Sequence, residues 1–117
     1  MRHELKDGFA RLSTPTGGDI RLEIAASRRT RTRGLLGRDG LDGALLLSPC
    51  NSVHTLRMRF PIDVAYLTKD LRVLDLHTLV ANRLARPRFR ARHVLEATAG
   101  AMNAWGITPG AQLQIRA

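Results

Sequence analysis

Short apolar runs separated by turn sequences occur along the whole chain, and they constrain the fold more than any other feature. In one run Ile20, Leu22 and Ile24 alternate with polar residues, and residues 14–18, Thr-Pro-Thr-Gly-Gly, separate it from an earlier run. Strict alternation is typical of a half-buried strand, and the intervening Pro and Gly residues favour a turn. The first part of the chain is therefore predicted to be a β-hairpin.

The same pattern continues to the end of the sequence. The pair Lys69-Asp70 forms a tight connection between two apolar runs and predicts a second hairpin. Further strands are predicted at residues 44–47, 53–58, 63–68, 72–80, 93–97 and 112–115. Helical segments are predicted at residues 28–36, ended by Gly37, and at residues 99–105. No connection has room for a regular series of crossover helices, so we predict a mainly β, small sandwich or barrel-like domain. It would have six or more short antiparallel strands and one or two short helices.

Length and composition indicate one domain over residues 1–117. A chain of 117 residues falls in the range of about 100–200 residues expected of one domain. No window approaches the roughly 18 apolar residues that a membrane span needs, and the first residues show no signal-peptide pattern. Cys50 is the single cysteine, so no internal disulfide can form. We therefore expect a cytoplasmic protein, monomeric or weakly dimeric.

The formal net charge of +9 indicates the chemistry of partners that the surface would attract. Anionic ligands, acidic proteins and nucleic acids are all attracted by such a charge. Nearly all of the basic residues are arginines, a bias that a GC-rich genome produces without selection for binding. Weak, nonspecific nucleic-acid binding is accordingly the default expectation.

Several motifs in order along the chain resemble one known family. They are residues 33–38 (Arg-Gly-Leu-Leu-Gly-Arg), 43–47 (Gly-Ala-Leu-Leu-Leu), 58–63 (Met-Arg-Phe-Pro-Ile-Asp), 94–97 (Val-Leu-Glu-Ala) and 106–110 (Gly-Ile-Thr-Pro-Gly). Together they resemble the domain of unknown function 192 family over about residues 20–116. The resemblance implies a mainly β domain with short helices, and it implies no particular biochemical activity.

Seven residues within or beside these motifs are the candidates for a ligand site. They are Arg33, Arg38, His54, Met58, Arg59, Asp63 and Glu96. Asp63 and Glu96 are each flanked by apolar residues, and a buried carboxylate needs a partner such as an arginine. The two carboxylates therefore belong either to internal salt bridges or to a site for an anionic ligand.

Cys50, His54 and Met58 show a Cys-x3-His-x3-Met spacing that is similar to the ligand loop of blue-copper proteins. About sixty residues follow this segment, whereas such a loop normally precedes one last strand. The sequence therefore favours a structural role for the three residues, and we predict neither a metal site nor a cofactor. Cys50 and His54 could alternatively form a nucleophile and base.

An arginine-rich segment follows the second hairpin. Its candidate contacts to nucleic acid are Arg83, Arg86, Arg88, Phe89, Arg90 and Arg92. Arginines can contact phosphates and an aromatic ring can stack on a base, although a stacking platform usually has several aromatic residues. A solvated loop is the simpler interpretation.

Three functions therefore remain open at the level of sequence. The first is a non-enzymatic binding or accessory domain built on the candidate ligand residues. The second is a small enzyme that uses Cys50 and His54 with Asp63. The third is a nucleic-acid contact through residues 83–92.

Overall fold

Strands make up most of the regular structure. The computed structural model describes residues 5–16, 18–52, 59–80 and 86–116. In chain order the elements are β1 (Gly8–Ser13), β2 (Asp19–Ala25), α1 (Arg28–Arg33), β3 (Ala44–Leu47), β4 (Ile62–Leu67), β5 (Val73–Leu79), β6 (His93–Thr98), α2 (Ala101–Ala104) and β7 (Gln114–Arg116). The prediction of a mainly β fold with two short helices is confirmed. The strand predicted at residues 53–58 lies outside the described residues.

Both predicted hairpins are present. β1 and β2 pair antiparallel, and the amide of Thr14 donates to the carbonyl of Gly18 at 3.1 Å to close their turn. β4 and β5 also pair antiparallel, with the amide of Thr68 donating to the carbonyl of Arg72 at 2.9 Å. In each case the turn residues and the flanking alternation are close in sequence, so local chemistry is enough to specify the pairing.

Helix α1 is shorter than predicted. The hydroxyl of Ser27 accepts from the amide of Thr30 at the start of the helix, as expected for a cap. The helix ends before Gly34, whose φ of 48° leaves the right-handed helical region, and not at Gly37. Residues 34–38 therefore continue as turns that lead towards β3.

All strands belong to one sheet, in the order β5-β4-β6-β3-β2-β1-β7. Each described strand has an antiparallel neighbour, as predicted, and one further pair, β2 and β3, is parallel. A parallel pair needs a crossover connection, and the segment that contains α1 supplies it. Gly43 permits the close approach of the two strands, since a Cβ atom there would overlap the carbonyl oxygen of Arg21.

The two ends of the sheet are joined by a short seam. The amide of Leu113 donates to the carbonyl of Leu71 at 3.0 Å, and the amide of Val73 donates to the carbonyl of Ala111 at 2.9 Å. These residues lie beside β5 and β7, which are the first and last strands of the sheet. The sheet is consequently curled into a half-barrel, which is the barrel-like alternative of the predicted class.

Both faces of the central strands are buried. One side, which we call the Met102 face, includes Leu12, Leu22, Leu46, Ala65, Leu95, Ala97, Met102, Ile107 and Leu113. The opposite side, which we call the Tyr66 face, includes Leu35, Leu45, Leu47, Phe60, Ile62, Val64, Tyr66 and Val94. Burial on both sides explains why β3 reads as a continuous apolar run.

Candidate functional site

A narrow cleft opens on the Tyr66 face between the α1 region and the sheet. Its described lining residues are Arg31, Thr32, Arg33, Gly34, Leu35, Leu36, Leu47, Cys50, Ser52 and Glu96. The crossover between β2 and β3 brings α1 here, and β6 supplies Glu96. The cavity volume is about 70 Å³, several times what one ordered water needs. The cleft can therefore admit a small chemical group.

Glu96 is the buried acid of this cleft. In the sheet it is paired with Leu45 and Val64, which places its side chain on the Tyr66 face. The residue is only 3% exposed, and no described residue donates a hydrogen bond to its carboxyl group. Burial raises the pKa of this carboxyl to about 8. At pH 7 Glu96 consequently keeps its proton and can donate a hydrogen bond.

Arg31 provides an unpartnered donor at the cleft. One of its terminal nitrogens, Nη1, donates to the carbonyl of Pro49 at 2.9 Å, and this bond fixes the side chain. Its Nε atom is buried and has no hydrogen-bond partner among the described residues. A buried N–H group without an acceptor is costly, so the arrangement favours an acceptor entering from the cleft.

The position of helix α1 is fixed by Asp7 as well as by the cap at Ser27. The Oδ1 atom of Asp7 accepts from the amides of Ala26 and Ser27 at 2.6 and 2.9 Å, and from the hydroxyl of Thr30 at 2.8 Å. The amide of Ser27 holds the pKa of this carboxyl well below its usual range, with further contributions from Ala26 and Thr30. A carboxylate at this position also suits the positive end of a helix.

Cys50 also lines the cleft, and its thiol is not activated. The Sγ atom donates to the carbonyl of Ser52 at 3.0 Å. Burial is the largest influence on the pKa of this thiol and raises it, and the nearby Glu96 acts in the same direction. Since the thiolate is the reactive form, Cys50 is a poor nucleophile at neutral pH.

Tyr66 contributes one more buried polar group on the same face. Its hydroxyl oxygen is buried without a hydrogen-bond partner among the described residues. Burial raises the pKa of this phenol, and Cys50 and Glu96 are near enough to add to the effect. Tyr66, Cys50 and Glu96 therefore form a cluster of neutral polar groups beneath the α1 region.

The seven predicted ligand residues do not converge on one place. Arg33 and Glu96 line the cleft. Arg38 forms a two-pronged ion pair with Glu23, at 2.9 and 2.7 Å, and Arg59 contacts Asp39 at 2.8 Å in an exposed ion pair. Both arginines are thus engaged at the surface. His54 and Met58 lie outside the described residues, so the copper-like spacing with Cys50 stays untested.

Asp63 lies on the opposite face of the sheet from the cleft. Its Oδ2 atom accepts from the amides of Gly100 and Met102, at 2.9 and 3.1 Å, and its Oδ1 atom accepts from the hydroxyl of Thr78 at 2.7 Å. No described arginine contacts Asp63 or Glu96, so neither carboxyl group forms the internal salt bridge with a described arginine. Asp63 anchors the start of α2, and Glu96 stays neutral.

The arginine-rich segment is only partly free to contact a ligand. The guanidinium of Arg88 lies 4.7 Å from the centre of the Tyr66 ring and donates to Asp75 at 3.2 and 3.3 Å. Phe89 is 88% exposed, and Arg86, Arg90 and Arg92 are exposed as well. Arg83 lies outside the described residues. Arg88 is therefore a structural residue.

Two classes of feature are missing from the described part of the chain. It contains no group of three or more His, Cys, Asp or Glu side chains that could hold a metal ion. It also contains no helix long and apolar enough to cross a membrane.

The sequence did not single out Arg31, which lines the cleft, or Tyr66, which lies on the same face of the sheet. Arg31 is one of many arginines, and only the crossover shows that it lines the cleft together with Glu96. Tyr66 lies within an apolar strand, where an aromatic residue normally needs no further explanation. A signal for Tyr66 was nevertheless present, since a buried phenol usually finds a partner.

Comparison with known proteins gives consistent results. The chain is 30% identical over 110 residues to a UPF0127 protein of Pyrococcus furiosus, covering 88% of this chain and 95% of the relative. A proposed transcription regulator of Sinorhizobium meliloti has a similar structure, with a TM-score of 0.79 and 24% identity over 97% of this chain and 98% of that one. A protein of unknown function from Novosphingobium aromaticivorans also matches, with a TM-score of 0.74 and 19% identity over 91% and 83%. At these identities the two structures show the fold alone.

The family assignment rests on the sequence match over nearly the whole chain. The sequence model of DUF192, described as uncharacterized ACR, matches residues 11–115. This range includes every motif that carries the resemblance, from the Arg-Gly-Leu-Leu-Gly-Arg segment to the Gly-Ile-Thr-Pro-Gly segment. The chain belongs to the DUF192 family.

Proposed function

We propose that this protein is a non-enzymatic binding domain that holds an anionic group, of the size of a carboxylate, in the cleft between Arg31 and Glu96. The observation that carries the proposal is that a buried carboxyl group, whose pKa burial raises, and an arginine with a buried N–H that has no acceptor line the same cleft. Both groups are donors at pH 7, and both line one small cavity. A ligand with two acceptor oxygens would satisfy them.

Electrostatics of the cleft also favour an anion. A neutral Glu96 does not repel negative charge, while Arg31 and the exposed Arg33 contribute positive charge at the cleft. The apolar side chains Leu35 and Leu47 limit solvent around the floor, which strengthens each hydrogen bond made there. A cationic ligand would instead require Glu96 to lose its proton in a buried position.

The enzyme that uses Cys50 and His54 with Asp63 is less well supported. The thiol of Cys50 has a raised pKa, which opposes a role as nucleophile. Asp63 and Cys50 lie on opposite faces of the sheet, and the Asp63 carboxylate already accepts three hydrogen bonds. The cleft needs neither group to be reactive in order to bind an anion.

Titration with acetate, followed by amide chemical shifts and by calorimetry, tests this proposal. We expect shifts centred on residues 31–36 and 50–52, with an affinity that falls as the pH rises through about 8, because Glu96 then loses its proton. Glu96→Gln keeps a donor and should bind acetate without this pH dependence. Arg31→Gln should weaken binding by about tenfold, the effect of losing a hydrogen bond to a charged group.

The matched control for Arg31→Gln is Arg29→Gln, because Arg29 is an exposed residue of the same helix that does not line the cleft. It should bind acetate as the parent protein does. Methylammonium serves as the cationic probe. Equal loss of acetate binding in the two arginine variants, or tighter binding of methylammonium than of acetate at pH 7, would show that the cleft is not an anion site.

A further inference from the structure

A second, wider depression adjoins the cleft at Cys50. We call it the Phe89 groove, and its described lining residues are Pro49, Cys50, Asn51, Phe89, Ala91 and Arg92. Its volume is about 370 Å³, compared with about 70 Å³ for the cleft. Since Cys50 lines both, a ligand that enters the cleft can continue into the groove without leaving the surface.

The walls of the groove are held in place by backbone hydrogen bonds. The amide of Arg88 donates to the carbonyl of Asn51 at 2.7 Å, and the amide of Cys50 donates to the carbonyl of Arg92 at 2.8 Å. The amide of Ala91 closes a turn on the carbonyl of Arg88 at 2.8 Å. Phe89 lies within this turn, so its exposed ring is presented on a fixed frame.

Side-chain contacts of Arg88 stabilise the same turn. Its guanidinium lies against the Tyr66 ring and donates to Asp75 and to the carbonyl of Arg86. An aromatic side chain that is 88% exposed on a fixed turn loses little freedom on binding, which favours affinity. Exposed aromatic residues and arginines are also the residue types that dominate binding energy at interfaces.

Arginines contribute positive charge both at the cleft and at the Phe89 groove. Arg31 and Arg33 line the cleft, and Arg92 lines the groove with Arg90 exposed beside it. The complementary partner is therefore acidic, with at least one apolar side chain for Phe89 and one small anionic group for the cleft. A polypeptide end combines all three, because its terminal carboxylate is small and its last side chains can be acidic and apolar.

We propose that the cleft and the Phe89 groove form one continuous site for an acidic polypeptide segment that ends in a free carboxylate. The terminal carboxylate enters the cleft at Arg31 and Glu96, and the preceding residues cross Cys50 to contact Phe89 and Arg92. This inference rests on the proposed anion site and names its partner. Some peptide-binding domains recognise their ligand by the carboxylate at its C-terminus.

Nucleic acid is the less suitable occupant of this surface. Phe89 is the single exposed aromatic residue of the described groove, whereas base stacking usually uses several. Arg88 is engaged by Asp75 and Tyr66 and is not available to phosphates. The cleft, at about 70 Å³, fits the end of a chain better than a continuous strand.

Calorimetry with the full chain and a synthetic hexapeptide tests the inference. The peptide contains two glutamates and a leucine near a free carboxyl end, and a second version has that end amidated. We expect the amidated peptide to bind at least about tenfold more weakly, and Phe89→Ala and Arg92→Gln to weaken the free-acid peptide by about tenfold each. Phe89→Ala should leave acetate binding unchanged. Because Phe89 is 88% exposed, this variant retains the fold.

Two control variants and further measurements distinguish the peptide site from the anion site. Phe9→Ala and Arg11→Gln change an exposed phenylalanine and an exposed arginine of β1, outside the groove, and should bind the peptide normally. Acetate binding in the cleft with no effect of amidation or of Phe89→Ala overturns the peptide site alone. Loss of both acetate binding and the amidation effect overturns both proposals. A twenty-nucleotide oligothymidine that competes with the peptide, and whose binding is also weakened by Phe89→Ala, assigns the groove to nucleic acid instead.

Discussion

The Glu96 carboxyl group loses nearly all contact with water when the chain folds. Its pKa rises to about 8 because burial disfavours the charged form, whereas in the unfolded chain the group has its ordinary pKa of 4.5. Between these two pH values the native state binds one more proton than the unfolded state. The free energy of unfolding therefore falls as the pH rises through this window, by on the order of 5 kcal/mol in total.

Replacement of this acid by an amide should remove that part of the pH dependence. For Glu96→Gln we expect a flatter profile of unfolding free energy between pH 5 and 9 than for the parent protein, measured by urea denaturation. The buried His93, whose pKa burial lowers, acts in the opposite direction in both proteins, so the difference between the two profiles isolates Glu96. Asp42→Asn, a change at an exposed carboxylate, should keep the parental profile. Parallel profiles for Glu96→Gln and the parent protein would contradict the assignment of a neutral Glu96.

The position of Glu96 could be predicted from sequence, but its state could not. Its flanking residues Leu95 and Ala97 indicate a buried strand, and a buried carboxyl must either pair or keep its proton. The sequence left two alternatives for Glu96, an internal salt bridge with an arginine and a site for an anionic ligand. Which alternative applies depends on whether an arginine of another element reaches the group, and this is a property of the three-dimensional packing. Arg38 and Arg59, the arginines named in the motifs, are engaged by Glu23 and Asp39 instead.

At the level of elements, Asp63 joins β4 to the short helix α2. The helix has four residues and its first residues follow Gly100, which offers no side chain for a cap. The Asp63 carboxylate supplies the missing acceptor for the amides of Gly100 and Met102. Since α2 places Met102 in the core, the carboxylate also fixes part of the Met102 face.

Removal of this carboxylate should be strongly destabilising. Asp63→Ala leaves two backbone amides and the Thr78 hydroxyl without their acceptor, at a cost of about 3–5 kcal/mol in the free energy of unfolding. Asp63→Asn retains one acceptor oxygen and should cost less. Asp70→Ala, at an exposed turn residue, is the control and should change stability little. A loss below about 1 kcal/mol for Asp63→Ala would show that the carboxylate does not hold α2.

Elements were predictable where their determinants are local. Both hairpins follow from turn residues and alternation within about twenty residues of chain. The parallel pairing of β2 with β3 was missed because it depends on a long connection, in which α1 is too short and too rich in Thr and Arg to mark a crossover by periodicity. The cleft lies at this crossover. Because the crossover was not predicted from the sequence, the position of Arg31 in the cleft was not predicted either.

For the whole molecule, the net charge of +9 is spread over the surface and is not concentrated in the arginine-rich segment. Outside that segment, exposed arginines occur on β1, on α1 and on β7, for example Arg11, Arg29 and Arg116. Such a distribution favours weak, sequence-independent attraction of polyanions that decreases steeply with salt.

Removal of three loop arginines should therefore weaken DNA binding no more than removal of three others. We expect Arg86, Arg90 and Arg92, changed together to Ala, to reduce the slope of log affinity against log salt as much as Arg11, Arg28 and Arg29 changed together. Arg88 is left unchanged because it supports Tyr66. Fluorescence anisotropy with a labelled duplex measures both slopes. A slope reduced by about 2–3 in the loop variant alone would indicate a specific nucleic-acid site.

Pairing of β1 with β7 has a consequence for synthesis on the ribosome. Arg11 is paired with Arg116, so more than a hundred further residues must be synthesised before β7 can pair with β1. Until then the β1–β2 hairpin exposes a free edge, with Phe9 and Leu12 close to it, to other nascent chains. The half-barrel can close its seam only after β7 emerges. Folding of this domain can therefore be completed only after β7 has been synthesised, and the period before that is when it is most exposed to aggregation.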